Sequence, residues 1–185
     1  MSTSSVATRV DSAGALRSLY YVRFAFALVW AGLMVVLSGT FGPATAVLLV
    51  AYPLFDVVAA VVDHRTSGDS RPKAPLYANM GLSLLAAVGL AVAIPVGVPG
   101  ALRVWGAWAI TAGAVQLLVA ILRYRLGGQW AMILSGGIST VAGTGFILMA
   151  GGSDASLSPI AGYALIGGIF FLVSALRLHR LARRG

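Results

Sequence analysis

The chain has 185 residues, a formal charge of +8 and 10% charged against 59% hydrophobic residues, with a mean hydropathy of +0.92. A soluble domain carries about 25% charged residues, so too few charges are present here to clothe a water-facing surface. There is no cysteine and no glutamate, and the carboxylates are Asp11, Asp56, Asp63, Asp69 and Asp154; this excludes disulfides and thiolate chemistry and leaves little from which to build a carboxylate-rich metal or hydrolytic site.

Residues 1–19 are rich in Ser, Thr and Ala at their start and read as a flexible N-terminal segment. Six apolar runs follow, at 20–38, 44–62, 75–96, 102–122, 130–150 and 159–176. Each can cross a hydrocarbon core about 30 Å thick, which takes about 20 helical residues. The first run exceeds the 7–15 apolar residues of a signal peptide and is read as a retained span. Residues 177–185 form a basic tail.

Twelve of the 13 Lys and Arg residues fall in alternate gaps between these runs. Arg9, Arg17 and Arg23 lie at the start; Arg65, Arg71 and Lys73 follow the second run; Arg123 and Arg125 follow the fourth; Arg177, Arg180, Arg183 and Arg184 follow the sixth. Only Arg103 lies in the other set. The positive-inside bias predicts both termini in the cytoplasm. It also explains the net charge better than nucleic acid does, because the basic residues flank helix ends rather than one soluble face. Arg177, Arg180, Arg183 and Arg184 are candidates for contact with anionic lipid headgroups.

The loops after runs one, three and five are short, which makes sequence neighbours antiparallel. Taken in pairs, the runs repeat. Residues 56–63, 116–123 and 170–177 align without gaps, and the odd runs align around Gly32, Gly89 and Gly145. The predicted fold is all-α: an integral membrane six-helix bundle of three repeated helical hairpins. Trp105 and Tyr163 are predicted near the outer membrane interface, as parts of an aromatic belt.

The hairpin pattern, the stretch Trp130-Ala-Met-Ile-Leu-Ser-Gly-Gly-Ile-Ser and the stretch Gly167-Gly-Ile-Phe-Phe-Leu-Val-Ser-Ala-Leu-Arg177 resemble the HdeD-like family of small bacterial membrane proteins, over residues 20–180. Helix two departs from the pattern at Pro53 and Asp56. The resemblance implies a non-enzymatic protein of the bacterial inner membrane with an envelope or acid-stress role, and brings no catalytic residue and no cofactor.

Asp56 is the sharpest candidate for chemistry. It lies seven residues inside Asp63, about 10 Å into the membrane, where an ionised group is costly and is read as functional by default. Two readings stand: a structural ion pair with Arg23, at similar depth on the neighbouring helix, or a site for a proton or cation in a small carrier. Gln116 holds the equivalent position in the second repeat, and Tyr52 lies deep and wants a partner for its hydroxyl; the two are candidates for a polar core. Phe170, in the third repeat, breaks any polar ring. Asn79 reads as an interfacial helix cap. Ser135, Ser139 and Gly143 form a small-residue seam on the fifth helix, usable either for packing within the chain or for a homo-oligomer and hence a membrane scaffold. The diglycine pairs are not phosphate loops, and His64 and His179 lack the spacing of a zinc site.

Overall fold

The computed structural model describes the backbone of residues 3–67, 73–122, 124–126 and 129–183, and the side chains of 14–65, 73–122, 124–125, 129–180 and 183. Arg71, Arg123, Arg184 and the glycines at 127–128 lie outside the described residues. Six α-helices follow one another: α1 (Thr3–Leu37), α2 (Pro43–Ser67), α3 (Lys73–Ala93), α4 (Val98–Leu122), α5 (Trp130–Met149) and α6 (Ser158–Ala182). Each contains a stretch long and apolar enough to cross a bilayer. A bilayer offers no water to the backbone, so a spanning segment satisfies its amides internally, as a helix does. The protein is a multi-pass, all-α membrane protein.

The first and last helices run beyond their predicted apolar runs. The stretch read as flexible, 1–19, is helical from Thr3 onward and continuous with α1, which reaches 35 residues. The stretch read as a tail, 177–185, is helical to Ala182. Neither segment contains proline, and a helix already nucleated in the span propagates at low cost through such residues.

The turns have local causes. Pro43 occupies the first position of α2, where its missing N–H is no loss. Thr45 is buried and its hydroxyl donates to the carbonyls of Leu37 and Thr40, at 3.3 and 3.0 Å, closing the α1–α2 turn. Between α3 and α4 a short 3-10 turn, Ile94–Val96, ends on Gly97 at φ +74°, whose N–H donates to Ile94; only glycine adopts that conformation freely.

The helices form a closed ring in chain order, with α6 packed back on α1. The most extensive contacts are α4 with α5, α1 with α6 and α2 with α3; those within the hairpins, α1–α2, α3–α4 and α5–α6, are smaller, and α5–α6 is the least of all. The tight pairs therefore straddle the boundaries between hairpins.

Small residues explain the tight pairs. The even helices carry them at seven-residue spacing, close to two turns: Ala46, Pro53 and Ala60 on α2; Gly106, Gly113 and Ala120 on α4; Ala161, Gly168 and Ala175 on α6. All nine are buried. On α4 and α5 the glycines face each other. A Cβ on Gly106 would stand 2.6 Å from the Gly143 carbonyl oxygen, and one on Gly113 would stand 2.7 Å from that of Gly136. A Cβ on Gly168 would come within 2.9 Å of the Ala27 Cβ on α1. With lipid as apolar as leucine, such close backbone approach is what associates helices.

This stripe corrects the repeat alignment. It sets Phe171, not Phe170, opposite Gln116 and Asp56. The odd-helix glycines do not share one environment either: Gly89 meets Val104 of α4, while Gly32 and Gly145 have open space around them.

Candidate functional site

Three helices converge on one carboxylate. Asp56, on α2, forms an ion pair with Arg23 of α1 through its Oδ1. Its Oδ2 accepts from Asn79 Nδ2 at 2.7 Å and from Ser83 Oγ at 2.8 Å, both on α3. The guanidinium of Arg23 also lies 4.3 Å from the ring centroid of Phe171 on α6. The side chains of Arg23 and Asp56 are 13% and 15% exposed, and Ser83 is fully buried. The cluster thus joins α1, α2, α3 and α6, and Arg23 bridges two of the three repeat-equivalent positions. At low dielectric, charge-assisted bonds of this kind are stronger than neutral ones.

Asn79 is therefore a ligand of the Asp56 carboxylate and not an interfacial cap. Ser83 was not recognised from sequence. The available signal was its spacing: Asn79 and Ser83 are four residues apart, so they share a helix face, on a helix that is otherwise apolar.

The second candidate pair divides. Gln116 accepts from Ser135 Oγ at 3.5 Å, between α4 and α5. Tyr52 lies one turn from Asp56 and packs among aromatic rings, and no hydrogen bond joins it to Gln116 among the described residues. Its ring sits 5.6 Å from Phe26, 4.7 Å from Trp30, 5.5 Å from Trp105 and 6.2 Å from Trp108. Trp30 stacks on Trp105 at 5.3 Å, and its Nε1 donates to the Leu48 carbonyl at 2.7 Å. Leu48 adjoins the Leu49 carbonyl, which Pro53 leaves without a helical donor.

Trp105 is fully buried, so it belongs to an aromatic centre joining α1, α2 and α4 rather than to an interfacial belt. Tyr163 likewise faces inward and donates to Ser139 Oγ at 3.0 Å, between α6 and α5. Contact with neighbouring rings outweighs the pull of the interface for these side chains. The indole Nε1 atoms of Trp105 and Trp108 are buried without a hydrogen-bond partner.

The α5 seam is used within the chain. Ser139 and Gly143 are buried, with Gly143 against Gly106 and Ile110 of α4, and Ser135 bonded to Gln116. That face is covered by α4 and α6 of the same chain. At the other end of the polar cluster, His64 Nε2 and the Tyr77 hydroxyl lie 3.3 Å apart. Arg177, Arg180 and Arg183 are exposed at the end of α6. No group of three or more His, Cys, Asp or Glu residues able to hold a metal occurs among the described residues.

No family model, curated protein or solved structure matches the chain. What can be said of its role therefore comes from the residues themselves.

Proposed function

We propose that this is a non-catalytic protein of the bacterial inner membrane, with both ends in the cytoplasm and a role in envelope integrity under acid stress, in keeping with its resemblance to HdeD-like proteins. The observation that carries the non-catalytic reading is the state of Asp56. Both of its carboxylate oxygens are engaged, by Arg23 on one side and by Asn79 and Ser83 on the other. Two further interior pairs cross between helices, Gln116 with Ser135 and Tyr163 with Ser139. Polar groups joined to one another in this way hold helices together; a reaction site needs groups converging on a vacant position. The basic residues at the ends of α2, α4 and α6 set the orientation and meet anionic headgroups.

A second reading, a small proton-coupled carrier, draws on Tyr52, which lies one turn from Asp56 and has no hydrogen-bond partner among the described residues. Two measurements separate the readings. Deletion of the gene should lower survival after an acid shift, and the wild-type chain should restore it. Purified protein in vesicles loaded with a pH-sensitive dye should carry no proton flux above empty vesicles. Flux that disappears in Asp56→Asn would establish the carrier and overturn the non-catalytic reading. Undiminished survival of the deletion strain would overturn the acid-stress role.

A further inference from the structure

Three polar groups in the aromatic centre go unanswered by the protein. The indole Nε1 atoms of Trp105 and Trp108 are buried without a hydrogen-bond partner. The Tyr52 hydroxyl has no hydrogen-bond partner among the described residues. All three belong to one packed group. Ring centroids lie 5.5 Å apart for Tyr52 and Trp105, 6.2 Å for Tyr52 and Trp108, and 5.4 Å for Trp105 and Trp108. The third tryptophan of the centre, Trp30, is satisfied, because its Nε1 donates to the Leu48 carbonyl at 2.7 Å. A buried indole N–H ordinarily finds an acceptor. Two orphans three residues apart on α4, against an unpaired hydroxyl from α2, set a single chemical requirement.

Position bounds what can meet it. Tyr52 lies nine residues beyond the start of α2 at Pro43, and Trp108 ten beyond the start of α4 at Val98. Both are thus about 14–15 Å from the end of the bundle that lacks the arginine clusters. Toward that end the core is filled by Met34, Leu102, Leu157 and Ile160, each at most 1% exposed. In the other direction lies Asp56, one turn from Tyr52, whose oxygens are already taken by Arg23, Asn79 and Ser83. The rings of the centre carry no charge. An occupant must be neutral, small enough to sit among rings in mutual contact, and able to accept from N–H groups. Water meets all three conditions, and it can either donate to a tyrosine hydroxyl or accept from it. A buried water typically makes about three hydrogen bonds to groups otherwise left unsatisfied.

We propose that the aromatic centre is a hydration site: water bound midway through the bundle accepts from Trp105 Nε1 and Trp108 Nε1 and bonds the Tyr52 hydroxyl. The site goes beyond the envelope role. It requires no flux, so it stands apart from both readings of Asp56.

The test uses the full chain in detergent micelles, with heavy nitrogen in its tryptophan indoles. Magnetisation transfer from water should give a cross-peak at the indole N–H of Trp105 and of Trp108, each assigned by its loss in Trp105→Phe or Trp108→Phe. Trp30, bonded to a carbonyl, should give none. Tyr52→Phe removes one partner of the water and should weaken both cross-peaks. Ultraviolet resonance Raman, taken as the difference between the wild type and each tryptophan variant, should place the band sensitive to indole hydrogen bonding at its bonded position for both residues. Bands at the free position would mean donors that lie dry or against ring faces, and would overturn the proposal. Bonded bands without water cross-peaks would put a different acceptor in the centre and also overturn it, as would cross-peaks untouched by Tyr52→Phe. That variant keeps the ring and its packing, so its comparison with the wild type holds even where a tryptophan variant does not fold.

Discussion

At Asp56 three donors from two helices meet one carboxylate, and their removal should not be equivalent. Arg23→Gln leaves a largely buried carboxylate with neutral donors only. Breaking a buried pair from one side costs about 3–5 kcal/mol, and with 13% and 15% of the two side chains exposed the lower end, about 3 kcal/mol, is expected. Asp56→Asn leaves the guanidinium an amide oxygen and the face of Phe171, so its loss should be smaller, about 2 kcal/mol, with cation–π contact offsetting part of the deficit. The double variant should recover part of the summed loss. Ser83→Ala removes one hydrogen bond to a charged group and should cost about 1.5 kcal/mol. Unfolding of the purified chain in detergent, followed by circular dichroism, reads all four. Strictly additive losses in the double variant would show that Arg23 and Asp56 do not act as a pair.

Between helices, the same residue type has opposite value depending on its neighbour. Gly106 and Gly113 lie where α4 and α5 backbones almost touch, and an added Cβ would meet a carbonyl oxygen at 2.6 and 2.7 Å. Gly32 and Gly145 lie in open space. Gly106→Ala and Gly113→Ala should therefore lower the melting temperature, whereas Gly32→Ala and Gly145→Ala should raise it, by the roughly 0.5–1 kcal/mol that alanine gains over glycine within a helix. If all four changes move stability the same way, the glycine seam does not hold α4 to α5. This contrast also marks the limit of the sequence. Hydropathy reveals six spans because the bilayer imposes length and composition on each helix separately. It says nothing of which glycine meets a partner, since a lipid-facing and a helix-facing position are equally apolar. A gapless alignment accordingly sets Phe170 where the packing sets Phe171, and it aligns the odd-helix glycines although two of them face away from the bundle. The Arg23–Asp56 contact was legible because charges inside a membrane need partners and two hairpin neighbours lay at equal depth. Asn79 and Ser83 were not, because polar residues near a helix end have an equally good explanation as caps.

For the whole molecule, the ring depends on a contact between the first and last helices, which no chain of hairpins requires. Gly168 lets α6 approach α1 so that a Cβ there would stand 2.9 Å from Ala27. Tyr20 and Phe171 pack at 5.8 Å between ring centroids farther toward the basic end. At the opposite end the Ser38 and Ser158 hydroxyls lie 3.1 Å apart. Insertion and assembly are separable in a membrane: each span is stable by its own hydropathy, and packing follows. Gly168→Leu should thus leave every span in place while parting α6 from α1. Reporters that are active only outside the cytoplasm, fused after Gly152 or after Gly185, should give activity for the first and silence for the second, in the wild type and in Gly168→Leu alike. The melting temperature of Gly168→Leu in detergent should fall, and cysteines placed at Ala27 and Ala164 in this otherwise cysteine-free chain should cross-link through a short bifunctional reagent in the wild-type background but far less in Gly168→Leu. Cross-linking undiminished by the leucine would show that α6 is held by its loop alone. A reporter active at Gly185 and silent at Gly152 would invert the orientation drawn from the arginines and leave the ring itself intact.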